Sequence, residues 1–205
     1  MTLHRALRTF PAAIILAGVT LNAGPTAQPA PLAMDTARVT IAGSSNIHNY
    51  SAWTDTVRVT GVKLATGVTA DTLWDDVVKP GTLERFEVAI PAATLTSRDA
   101  GLDKNMLKAL QVEEHRDITF RLTGVERGPA GALMAVGKLR IAGVEREVVL
   151  SLKTERRDAA LVVTGRVALL MTDYGIKPPT AMLGMLKTDP KVTVTFETVL
   201  SVPRT

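Results

Sequence analysis

The chain has 205 residues, with 24 lysines and arginines against 20 acids, 46% hydrophobic residues and no cysteine. That length suits one domain with a sizeable core, and the lack of cysteine excludes disulfides and a lipid-modified N-terminal cysteine. The small positive excess is not gathered into a long basic run, so nucleic-acid binding is disfavoured.

The first residues read as an export signal. His4, Arg5 and Arg8 precede the apolar stretch Phe10 to Val19, and small residues follow around Ala23 and Gly24. This order of basic, apolar and small residues marks a secretory signal, expected over residues 1–23. The apolar run falls short of the ~20 residues a membrane-spanning helix needs. Cleavage is poorly defined, since Leu21 and Pro25 sit two positions before Ala23 and Ala27. Gly24 to Pro31, GPTAQPAP, reads as part of an extended tether over residues 24–35. The folded domain is then expected over 36–202, in the periplasm or secreted. Removing residues 1–23 takes away Arg5 and Arg8 and no acid, which lowers the net charge from +4 to about +2.

Beyond the tether, apolar and polar residues alternate with the strand period of two. Val39 and Ile41 begin the pattern; Phe86, Val88 and Ile90 continue it on one face of a second run. Asp99 to Leu110 breaks it, because Leu102, Met106, Leu107 and Leu110 have helical spacing and predict a short amphipathic helix. Strands resume with Ile118, Phe120 and Leu122, then Val148, Leu150 and Leu152, then Val167 and Leu169. Turns are predicted at Gly128 to Gly131, at Ala142-Gly143 and at Arg157-Asp158. Asp173 to Pro190, with three prolines, reads as a long ordered loop, and Val192, Val194 and Phe196 form the last strand.

Consecutive short turns make neighbouring strands antiparallel. The expected fold is therefore all-β, an antiparallel lipocalin-like barrel of about eight strands with one short helix, a size that is either filled or holds one small ligand. Phe86, Val88, Phe120, Leu122, Leu150 and Leu152 are expected to line its interior. Val167, Leu169, Val194 and Phe196 extend the same face. The mouth is expected at Leu107 and Leu110 on the helix and at Met182, Leu183 and Met185 in the loop, where methionine suits a surface that packs with and without a guest. Aromatic residues are only 4% of the chain, so few rings are available to fill a wide lumen.

Signals for chemistry are weak. His48 and His115 lie far apart without zinc spacing, and no metal or other cofactor is expected. Ser44 and Ser45 precede His48, yet no nucleophile-elbow pattern surrounds a serine. His115 sits beside Glu113, Glu114 and Asp117, which reads as a solvated helix-to-strand connection. Asn49-Tyr50-Ser51 matches the short glycosylation sequon.

Four segments carry a family resemblance. They are GSSNIHNYSAW from Gly43, LTSRDAGLDKNMLKALQVEEHRDITFRL from Leu95, GKLRIAGVEREVVLSL from Gly137, and MTDYGIKPPTAMLGMLKTDPKVTVTFE from Met171. In this order the chain resembles the YceI-like polyisoprenoid-binding family from Val39 to Val199. Arg116-Asp117 stands where members usually have a proline before the Thr-Phe strand, and Val59 to Gly81 matches no family element. The resemblance implies a lipocalin-like barrel that holds a polyisoprenoid or other amphipathic lipid. The expected role is transport or storage of such a lipid without catalysis, with transient contact to a membrane or membrane protein. The alternatives are a filled barrel whose loops bind a membrane or redox partner and, third, a hydrolase using His48 or His115.

Overall fold

The computed structural model describes residues 32–68, 72–129, 132–181 and 186–202. The expected signal, residues 1–23, and most of the tether lie outside them, as do Met182, Leu183 and Met185. The described residues form one antiparallel sheet. Its strands are β1 (Ala33–Ser45), β2 (Asn49–Thr54), β3 (Arg58–Leu64), β4 (Leu83–Pro91), β5 (Thr96–Ser97), β6 (Asp117–Arg127), β7 (Leu133–Ile141), β8 (Val144–Arg157), β9 (Ala160–Leu170), β10 (Thr180–Ala181) and β11 (Leu186–Ser201). They are ordered β3-β4-β6-β7-β8-β9-β11-β1-β2-β5, with β10 paired onto β11.

Turn chemistry sets the register of the central meander. Ile141 pairs with Val144 across a two-residue turn, where Ala142 and Gly143 both take positive φ, 46° and 79°. That geometry matches the right-handed twist of the flanking strands. Asp158, at φ 51°, makes the corresponding turn between β8 and β9, where a short polar side chain tolerates the left-handed region. A register shift between Leu122 and Gly124 absorbs one residue in β6. The inward series therefore runs Ile118, Phe120, Leu122 and then Val125.

The sheet exceeds the expected eight strands, and its ladder stops at β3 on one side and β5 on the other. The expected hydrogen-bonded closure is thus replaced by a crossing of the chain itself. After β4 the backbone makes a 3-10 turn at Ala92–Thr94 and then pairs with β2 as β5. The hydroxyls of Thr54 and Thr94 meet there at 2.7 Å, and Thr94 also reaches the Pro91 carbonyl at 2.7 Å. Thr54 is only 2% exposed, so this polar seam is buried but satisfied.

Different elements close the two ends. At one, α1 (Leu73–Asp76) buries Leu73 and Trp74, which cluster with Leu32, Val77, Leu161 and Leu200. This plug lies within the stretch Val59 to Gly81. At the other, α2 (Ala100–Ala109) spans the predicted helix, and its N-cap Asp99 accepts the Leu102 N–H at 2.9 Å. The expected loop from Asp173 is largely structured. Met171–Tyr174 is a 3-10 turn, Thr180 and Ala181 pair with Lys187 and Leu186, and Pro190 lies within β11.

Candidate functional site

The inner face of the sheet encloses two apolar chambers stacked end to end. The upper one, about 630 Å³, lies beneath α2. The lower one, about 200 Å³, lies toward α1. Consecutive inward residues on five strands pass from one to the other. Ile41, Ile118, Ile141, Leu169 and Val192 line the upper chamber. Val39, Phe120, Leu139, Val167 and Phe196 line the lower. Val194 lines both. Along β11 the lining runs from Thr188 to Leu200, or ~40 Å of strand at ~3.3 Å per residue.

The sequence-predicted lining residues divide between the chambers. All face the lower chamber except Leu169, which faces the upper one. At the expected mouth, Leu110 lines the upper chamber, whereas Leu107 lines neither. Leu102, Met106 and Ala109 occupy the chamber side of α2. Leu107 follows Met106 by one residue, which turns its side chain about 100° away on a helix of 3.6 residues per turn.

Polarity changes along the axis. The lower chamber is apolar throughout apart from Thr154 and Thr198. The upper chamber carries Ser45, His48, Asn49, Arg98, Asp99 and Asn105 among its lining groups. Ile47, 59% exposed, stands at the tip of the β1–β2 hairpin beside this rim. The tip is fixed by the Ser45 hydroxyl, which accepts the N–H groups of Ile47 and His48 at 3.3 and 3.1 Å. Asn46 also accepts the Lys187 N–H at 2.8 Å.

Two tyrosines border the upper chamber. Burial pushes the Tyr50 hydroxyl above the usual tyrosine range, and the charge of Asp189 adds to the effect. Burial also raises Tyr174, with Asp173 contributing and Arg146 opposing. The ring of Tyr174 is part of the core at 3% exposure, and its hydroxyl oxygen meets no protein partner among the described residues. His115 does not line the chambers; its ring lies against Gly143 in the β7–β8 turn. Among the described residues no group of three or more histidines and carboxylates is gathered closely enough to hold a metal ion.

Sequence reading missed how the aromatic rings are accommodated. Glycine inside a strand is unfavourable by ~0.5–1 kcal/mol relative to alanine, yet Gly43, Gly137 and Gly165 all interrupt inward-facing series. Each has a ring laid over it, from Tyr50, Phe120 and Phe196 respectively. The rings lie along the wall in space a Cβ would occupy, so they cover the sheet without filling the lumen. Gly165 and Phe196 are direct cross-strand partners. A glycine facing an aromatic in a neighbouring strand was the available signal, but it needs the register to be known.

Residues 34–200 match the YceI-like domain family. Two solved structures of similar fold are a polyisoprenoid-binding domain from Saccharophagus degradans implicated in plant cell wall breakdown and BcnA from Burkholderia cenocepacia. The first is 13% identical, with a TM-score of 0.63, and covers 85% of this chain and 100% of its own. BcnA is 12% identical, with a TM-score of 0.62, and covers 80% of this chain and 95% of its own. No curated protein matches the sequence.

Proposed function

The chain belongs to the YceI-like domain family, and from that premise we propose that it carries or stores a polyisoprenoid or similar amphipathic lipid. The observation that carries this reading is the stack of an apolar lower chamber and a polar-rimmed upper chamber inside one sheet. An amphipathic chain fits that gradient, with its tail toward α1 and its head group beneath α2. Removing apolar surface from water stabilises such a complex by ~25 cal/mol per Å², less the cost of association. The role requires burial and no catalytic step.

The basic and apolar order of residues 1–23 supports export to the periplasm, where a carrier would meet lipid at a membrane surface. We assign the transient membrane contact to the rigid hairpin tip at Ile47, an exposed apolar side chain beside the chamber rim. Native mass spectrometry of the purified protein, followed by organic extraction, tests the reading. A copurifying lipid near one per chain is expected. Protein that is lipid-free and takes up no added polyprenol contradicts the carrier role and favours partner binding through the loops.

A further inference from the structure

We infer that Gly165, acting through the ring of Phe196, sets the length of lipid chain the protein accepts. The inference deepens the lipid-carrier reading and rests on it. Gly165 of β9 and Phe196 of β11 are direct partners in the ladder. A Cβ at Gly165 would overlap the far edge of the Phe196 ring and stand 2.9 Å from the Leu152 Cδ2. The three nearest atoms it would meet are all side-chain atoms, two in the Phe196 ring and one in Leu152, so side chains are the first obstacle to the substitution. The ring is what must yield.

The direction in which it yields gives the consequence. Phe196 and Leu152 both line the lower chamber. The sheet wall lies behind the ring, and Val194 and Thr198 flank it on the same strand and face. Displaced from the wall, the ring enters a lumen of only about 200 Å³. The upper chamber, about 630 Å³, does not include Phe196 in its lining and keeps its shape. A short lipid held there is unaffected, whereas a long one, whose tail must pass Val194 into the lower chamber, is excluded.

Gly137 repeats the arrangement with Phe120, but a Cβ there also meets the Arg121 carbonyl oxygen at 2.7 Å. Backbone strain would confuse the result, so Gly165 is the position to test. Glycine at this site is thus a specificity-determining residue that never needs to touch the ligand.

The experiment compares farnesol, with three isoprene units, and solanesol, with nine, on the full chain and on Gly165→Ala. Affinity for both lipids is read from the lipid retained by the protein, quantified by mass spectrometry over a series of lipid concentrations, a readout that does not depend on which chamber the lipid occupies. The substitution is expected to weaken solanesol roughly tenfold or more, the loss of contact for a few chain carbons, and to leave farnesol within about twofold. Gly165→Ala with Phe196→Leu, which removes the displaced ring, is expected to recover solanesol binding. Equal weakening of both lipids, no weakening of either, or failure of the double variant to recover solanesol overturns the inference while leaving the carrier reading in place. If the unaltered protein binds neither lipid, both fall.

Discussion

Two leucines with similar burial distinguish a hollow interior from a filled one. Leu150 is 9% exposed and lines the lower chamber, whereas Leu95 is 3% exposed and packs in the same hydrophobic cluster without lining either chamber. Truncating either to alanine removes three carbons from an apolar setting, a transfer loss of about 2 kcal/mol at ~0.8 kcal/mol per carbon. At Leu95 the space left behind is enclosed, and a cavity contribution of ~24 cal/mol per Å³ raises the total to about 3–5 kcal/mol. At Leu150 the new space merges with the existing 200 Å³ chamber, so the cavity contribution nearly vanishes and about 2 kcal/mol remains. Leu150→Ala should therefore unfold ~4–8 °C below the unaltered protein and Leu95→Ala roughly 6–20 °C below, at ~2–4 °C per kcal/mol for a chain of this size. Urea titration of the lipid-free protein gives the same comparison as free energies. Equal losses, or a larger loss at Leu150, would refute the hollow lower chamber.

Other substitutions probe the upper end. Met106→Asp places a carboxylate on the chamber side of α2 and is expected to reduce lipid retention several-fold more than it lowers stability, because closure over a guest desolvates the charge; lipid occupancy equal to the unaltered protein's would remove α2 from the closed state. Asp99→Ala deletes the N-cap of α2 and should cost ~1 kcal/mol locally, seen as faster amide exchange over 100–109 with strands unchanged; uniform acceleration would contradict a separately opening helix. Tyr174→Phe removes a buried hydroxyl without a partner among the described residues and is expected to leave stability equal or raise it by ~1 kcal/mol, so a clear loss in urea titration would reveal a partner. Tyr50 and Tyr174 both have hydroxyls raised above the ordinary value of 10.0. Their contribution is therefore fully present below pH 10.0 and is lost as pH rises through the raised values. Alkaline titration should show the loss, and Tyr50→Phe with Tyr174→Phe should blunt it.

The inward faces of β4, β8, β9 and β11, and of β6 as far as Leu122, were legible because simple alternation survives wherever one face is buried and the register is regular. The helix at 100–109 was legible for the same reason, since its spacing and its Asp99 cap agree. β3 was not. Two register irregularities within Arg58–Leu64 erase the period of two that would have identified it. α1 has only four residues, too few for a helical period to accumulate, and its place depends on contacts with Leu32, Leu161 and Leu200 from distant parts of the chain. The seam between β2 and the turn after β4 is equally non-local, because nothing around Thr54 or Thr94 announces a partner forty residues away. Leu107 was misplaced by counting it with an apolar stripe that in fact runs through Leu102, Met106 and Ala109.

The unequal closure of the two ends gives the carrier reading a direction. Opening the α1 end would expose Leu73 and Trp74, 2% and 6% exposed, together with Leu32 at 1%. At ~25 cal/mol per Å², three large buried side chains make that opening costly by several kcal/mol. α2 contains no fully buried residue between Ala100 and Ala109; Leu102, Met106 and Ala109 on its chamber side are half-buried, and its one buried anchor is the C-cap Leu110, 8% exposed. It can lift at much smaller cost, which is the usual property of an element that admits a ligand. The polar groups of the upper rim lie at this same end and remain solvated while it is open. A lipid entering beneath α2 with its tail leading moves from the polar rim into progressively more apolar surroundings. Entry in the opposite sense would break the plug and drag a polar head through a chamber offering only Thr154 and Thr198. On the carrier reading, the burial that stabilises the fold at α1 would also set which way the guest lies.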